Sequence, residues 1–196
     1  MSFDFDLIDR NTKEIVVLNR PRFIQSGIIP TVSDDITGKL VKVAQGKASI
    51  NITYNYSHYF YEATDGDERF AHTNSGDKVE YGIRGLCGKS ALESILMLKD
   101  MIARITEKYQ DKNKNWLITK RKRIRYLDRY GKEILNPGRY ILSDVECTKI
   151  KEEYEVSEGD THNYWEATAA NAIEALWNMI FIATDQMLNE DAVWNI

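Results

Sequence analysis

The stretch Ser49-Ile-Asn-Ile-Thr-Tyr-Asn-Tyr-Ser-His-Tyr-Phe-Tyr-Glu62 decides the fold class of this 196-residue chain. It is rich in β-branched and aromatic residues and alternates along its length, the pattern of a central strand. One face would carry Ile50, Ile52, Tyr54, Tyr56, His58 and Phe60; the other would carry Asn51, Thr53, Asn55, Ser57, Tyr59 and Tyr61.

Working outward, Phe3, Phe5 and Leu7 alternate with polar residues, Asp9–Lys13 reads as a turn, and Ile15–Leu18 follows, which predicts a β-hairpin. Residues 19–47 are polar with Pro21 and Pro30, a long connection with one strand at Lys39–Val43. Residues 63–79 read as a Gly/Asp/Ser-rich loop. From Lys89 to Lys108, apolar residues fall at 91, 92, 95, 98, 102 and 105, the period of an amphipathic helix. A second such helix is predicted from Thr168 to Leu188, with Thr168 as N-cap. Its core side would hold Ala172, Leu176, Met179, Ile180, Ala183 and Met187. Between the helices, 116–127 and 133–143 read as a second hairpin, and 144–158 is ambiguous between strand and helix. Ile8-Asp-Arg-Asn-Thr-Lys-Glu-Ile15 is echoed by Leu127-Asp-Arg-Tyr-Gly-Lys-Glu-Ile134, as two turns of the same chemistry would be.

The order of strands, helix, strands, helix predicts an α+β fold, an antiparallel sheet of hairpins with two amphipathic helices packed on it. One domain over 1–196 is expected: an N-terminal hairpin or arm (1–47), a core (48–110 and 159–196) and an inserted basic hairpin (111–158). Hydrophobic residues at 43% and charged residues at 29% suit a globular chain rather than a disordered one. The N-terminus lacks the basic-then-apolar order of a signal peptide, and no stretch has the length of a membrane span, so no membrane partner is expected. Cys87 and Cys147 are far apart in sequence and read as reduced thiols.

Net charge is −4, but unevenly placed. Between Lys108 and Lys132 stand ten Lys/Arg against two acids, a local +8 that leaves −12 elsewhere. If Lys120-Arg-Lys-Arg-Ile-Arg125 is a strand, Arg121, Arg123 and Arg125 share a face at roughly 7 Å spacing. That spacing suits successive phosphates, and the interleaved aromatics Trp116 and Tyr126 suit single-stranded nucleic acid. The competing reading is a solvated edge strand that faces the acidic stretch 144–160 of the same chain.

Gly82-Ile-Arg-Gly-Leu-Cys-Gly88-Lys89-Ser90 ends like a phosphate loop and opens a helix, but Ile83 stands where the loop requires its first glycine. A capped helix start, with Lys89 as a weak anion contact, is the alternative. Three histidines and two cysteines show no ligand spacing, so neither a metal nor a cofactor is expected, and no catalytic motif is present.

Ile52-Thr-Tyr-Asn55, Gly88-Lys89 at a helix start, Asn163-Tyr-Trp-Glu-Ala-Thr168 with Asn171-Ala172, and Val193-Trp194 together carry a resemblance. The chain resembles a group of small bacteriophage proteins of the type ITYN…GK…YWxAT…NA…VW. The group tends to have Pro-Gly after the threonine; this chain has Ala169-Ala170, which equally fits a first helical turn. The resemblance implies a phage or prophage origin and the cytoplasm of a bacterial host. It carries over no catalytic residues.

The function expected is that of a non-catalytic phage accessory protein that binds a host protein, a defence component or an anionic ligand. Arg121, Arg123, Arg125 and Lys89 are the expected contacts. One alternative is a nucleic-acid-binding protein using the basic hairpin. The other is a small enzyme with a site around Tyr54, Asn55, His58 and Lys89. Trp165, just ahead of the second helix, is either a core plug or a ligand platform.

Overall fold

The computed structural model describes residues 2–19, 31–33, 40–42, 46–73, 76–134, 147–163 and 165–195. The fold is α+β, with antiparallel sheets and helices packed against one face of the main sheet.

That sheet has three strands. β1 (Ser2–Asp9) is in the middle, with β4 (Ser49–Thr53) on one side and β9 (Ala192–Asn195) on the other. The pairing places Phe3 opposite Ile52, Phe5 opposite Ile50 and Leu7 opposite Trp194. One face is therefore apolar, and Phe5, Leu7, Ile52 and Trp194 are almost completely buried. The other face is polar, where Asn51 Nδ2 donates to Asp4 Oδ1 at 2.6 Å. The N-terminal segment is thus the centre of the sheet and not an appended arm.

The predicted N-terminal turn forms, with Asp9 Oδ1 accepting from the Asn11 and Thr12 amides. Ile15–Leu18 then returns through single bridges, Ile15 to Ile8 of β1 and Val17 to Lys47, instead of as a full strand. The expected strand at 39–43 is seen as β3 (Leu40–Lys42), paired with β2 (Thr31–Ser33); the rest of 20–45 lies outside the described residues.

The stretch 49–62 is a strand only as far as Thr53. A 3-10 turn covers Tyr54–Tyr56, and helix α1 covers Ser57–Thr64. The reason lies in which aromatics are buried: Tyr56, Tyr59, Phe60 and Ala63 are inside, spaced as one face of a helix. The loop expected at 63–79 contains β5 (Ala71–Thr73), which pairs with β6 (Val79–Tyr81).

Helix α2 (Ala91–Tyr109) starts at a capping box in which Ser90 and Glu93 each satisfy the other's backbone amide. It buries Leu98 and Ile105 as expected, together with Met97 and Met101, while Leu92 is exposed. Helix α3 (Ala169–Asp185) is capped by Thr168, whose Oγ1 accepts from the Asn171 amide at 3.2 Å. Its small residues Ala172, Ala175 and Ala183 bring it close to α2, and Leu176, Met179 and Ile180 fill the core. The helix ends before Met187, which is 41% exposed and not part of the core side.

The basic segment is β7 (Ile118–Leu127). Its partner over ten residue pairs is β8 (Thr148–Ser157), the stretch whose structure the sequence left ambiguous. Of the expected partner 133–143, only 133 and 134 are described; Glu133 bridges to Leu127, and the Ile134 amide donates to Tyr126. Asp128 Oδ1 accepts from the Tyr130 and Lys132 amides, the chemistry used by Asp9 in the first turn.

Candidate functional site

An open cleft of about 530 Å3 lies between β1, α1 and the β5–β6 hairpin, a volume in the range of small-molecule sites. Three elements of the fold build it. The central strand contributes Phe3, the 3-10 turn and α1 contribute Tyr54, His58 and Tyr61, and the hairpin with its following turn contributes His72, Tyr81 and Arg84.

The aromatic wall is continuous, since the Phe3 and Tyr54 rings lie 5.3 Å apart at a 48° tilt. Tyr54 and Tyr61 are about half exposed, so their ring faces are open to a ligand. The Arg84 guanidinium lies 4.5 Å from the centre of the Phe3 ring. Among the described residues Arg84 forms no salt bridge. Stacking on the ring holds the planar group in place and leaves its edge donors available.

Two histidines face this cleft. Packing of protein atoms around the His58 ring lowers its pKa from the ordinary histidine value, against the pull of Glu62. The ring stacks on Tyr59 at 3.9 Å. Both nitrogens of His72 are buried and have no hydrogen-bond partner among the described residues; the nearest carboxylate oxygen, on Glu80, is 3.8 Å from Nε2. Buried polar atoms are rarely left unpaired in proteins, and a ligand is one way to satisfy them.

Tyr59, on the other side of α1, points into a buried polar joint. The Glu158 carboxylate accepts four bonds: from Thr119 Oγ1 at 2.6 Å, Arg121 at 2.9 Å, the Tyr59 hydroxyl at 2.5 Å and the Ala169 amide at 2.9 Å. Burial pushes Glu158 upward, but these donors outweigh it and hold the carboxylate below its ordinary pKa. Burial and the same carboxylate push the Tyr59 hydroxyl far above its ordinary value. The joint therefore keeps a fixed charge state, as a structural anchor requires.

The expected contact residues are dispersed. Tyr54 and His58 line the cleft, whereas Asn55 and Lys89 do not. Asn55 Nδ2 donates to the Trp165 carbonyl at 3.0 Å, and Trp165 itself is 60% exposed in the loop before α3. Lys89 precedes α2, and its carbonyl accepts from the Trp194 amide. The loop before it uses its amides internally: Gly85 donates to Gly82, Cys87 to Arg84, and Gly88 to Trp194. Those bonds leave it without the amide cradle of a phosphate loop.

Arg121, Arg123 and Arg125 do share a face, but it is the face that meets carboxylates. Arg121 reaches Glu158 and Glu166, Arg123 reaches Glu152 at 2.9 Å, and Arg125 reaches Glu133 at 2.9 Å. Phe3, His72, Tyr81 and Arg84 are not marked as contacts by the sequence, whereas Tyr61 is marked there as needing a covering helix or a ligand. The alternation His72…Val79-Glu-Tyr81 was a weak hairpin signal, hidden by the polar residues between its strands.

No group of three or more His, Cys, Asp or Glu among the described residues could hold a metal ion. No helix among them is long and apolar enough to cross a membrane. Comparison with protein-family profiles, with curated proteins and with solved structures finds no match.

Proposed function

We propose that this protein is a non-catalytic binding protein and that the cleft beside α1 takes a small, flat, anionic ligand of the nucleotide class. The observation that carries this reading is Arg84, a cation without a salt bridge among the described residues, stacked on Phe3 at the rim of an aromatic wall. Tyr54 and Tyr61 supply faces for a planar ring, and Arg84 supplies charge-assisted donors for a phosphate or carboxylate.

A catalytic reading has less support. Of Tyr54, Asn55, His58 and Lys89, only Tyr54 and His58 line the cleft, so the groups of the expected catalytic site are not gathered there. The resemblance to phage proteins supplies the setting, in which an anionic ligand of the host cell is the partner class that best suits this cleft.

The test is calorimetric titration with purine and pyrimidine nucleotides and their matched nucleosides. Nucleotides should bind and nucleosides should bind at least about tenfold more weakly, the loss expected for removing a charge-assisted contact. Arg84→Ala should abolish the difference, and Tyr54→Ala should weaken nucleotide and nucleoside alike. Absence of heat with every nucleotide, or equal affinity for the nucleosides, rejects the reading.

A further inference from the structure

The ribbon formed by β7 and β8 is ten residue pairs long, about 33 Å at 3.3 Å per residue. Among the described residues the ribbon is tied to the body at its base, through Glu158 to Tyr59 and the Ala169 amide and through Arg121 to Glu166. Beyond that base both faces open to solvent: Lys122, Arg123 and Ile124 are exposed on one strand and Lys149, Ile150 and Lys151 on the other. Isolated two-stranded ribbons are marginal in water, and this one is held by cross-strand ion pairs such as Arg123 with Glu152.

Charge is sorted along the ribbon's outward face. Near the base Lys120 stands opposite Glu155 and Lys122 opposite Glu153, and these pairs cancel. In the distal half Ile124 stands opposite Lys151 and Tyr126 opposite Lys149, with no acid between them. The turn that follows adds Arg129, Tyr130 and Lys132. Among the described residues Lys149, Lys151, Arg129 and Lys132 form no salt bridge. Tyr130 is 78% exposed, with the Arg129 guanidinium 4.7 Å from one face of its ring.

We propose that the distal half of this ribbon binds single-stranded nucleic acid, with Lys149 and Lys151 on successive phosphates and Tyr130 stacking on an unpaired base. The two lysines are two residues apart on one strand, hence about 7 Å apart. Cations interleaved with open aromatic rings are what strand binding uses, and only an unpaired base offers a face to a single exposed tyrosine. The chain outside 108–132 carries −12 even with Lys149 and Lys151 counted in it, so a polyanion is drawn to the ribbon rather than to the body. This site uses the lysines of the outward face, not the arginines that the carboxylates already occupy, and it is independent of the cleft beside α1.

The experiment is fluorescence anisotropy of a labelled oligothymidylate of about 16 nucleotides with the full chain. Affinity should fall as salt rises, with a log–log slope near −0.7 for each phosphate neutralised. The double variant Lys149→Glu/Lys151→Glu should weaken binding about tenfold or more. Tyr130→Ala should weaken it about tenfold. Lys99→Glu, an exposed reversal on α2, should leave it unchanged. Circular dichroism checks that the reversals, which touch only exposed side chains, retain the fold. A second pair, Arg129→Glu/Lys132→Glu, repeats the test if the first is misfolded. No anisotropy change at low salt, equal loss from Lys99→Glu, unchanged affinity in the tip variants, or binding to duplex alone would overturn the proposal.

Discussion

Arg121 donates to Glu158 at 2.9 Å, and this pair joins a strand of the projecting ribbon to the first turn of α3. Glu158 is 1% exposed and Arg121 is partly buried, so neither charge can fall back on water. The acid neutralises an arginine and also receives the Ala169 amide, one of the free donors at a helix start. One carboxylate therefore sets where the ribbon leaves the body.

Glu158→Ala should destabilise the protein by about 3 kcal/mol, because it leaves the partly buried Arg121 only its longer contact with Glu166 and strips Thr119, Tyr59 and the Ala169 amide of their acceptor. The urea midpoint reads this directly. The double variant Arg121→Met/Glu158→Leu should be less damaged than Glu158→Ala, since the unpaired charge is then gone.

Stability should fall on acidification from about pH 4.5 downward, the ordinary value for a glutamate. Glu158 is held below that value in the fold, and Arg69 and Arg104 hold Asp67 well below the usual carboxylate range. Groups with a depressed folded pKa contribute stability above their unfolded pKa and lose it as pH drops through the folded one. Denaturation midpoints measured across this range should decline, and Glu158→Gln should flatten part of the decline.

Affinity for an anionic ligand in the cleft should rise as pH falls below the ordinary histidine value of 6.5. The His58 pKa lies below that ordinary value when the cleft is empty, and a bound anion raises it. Proton uptake then accompanies binding. His58→Asn should remove the pH dependence while leaving binding at neutral pH close to its original strength, as titrations at several pH values will register.

Gly85→Ala should cost about 3 kcal/mol, because its methyl group would overlap the Phe70 backbone. The 3-10 turn of Ile83–Leu86 touches that backbone directly, and main-chain atoms cannot turn away as a side chain can. Thermal unfolding should show the loss, and Gly88→Ala, with open space around it, should cost only its left-handed backbone penalty of about 1 kcal/mol.

Helices α2 and α3 were legible because their signals are local: apolar residues recur at helical spacing in both, and Thr168 caps α3. The misreading of 54–62 has a physical cause. A run of aromatics alternates whether or not it is a strand, and only the burial of Tyr56, Tyr59, Phe60 and Ala63 on one face reveals the helix. The cleft was illegible because its residues come from positions 3, 54–61 and 72–84, which nothing in their spacing connects. Pairing of the basic strand with the acidic stretch was one of two readings open from charge alone. The register makes it definite, with Lys120 opposite Glu155 and Arg123 opposite Glu152.

The middle strand of the main sheet lies far along the chain from one of its two neighbours: Leu7 waits for Trp194. Until Ala192–Asn195 leaves the ribosome, β1 has one edge with open backbone groups and half of its apolar face bare. Closure of this core therefore waits until the chain through Asn195 has emerged. A ribosome that stalls within α3, or a protease that trims the last strand, would release a chain whose first strand invites pairing with another copy.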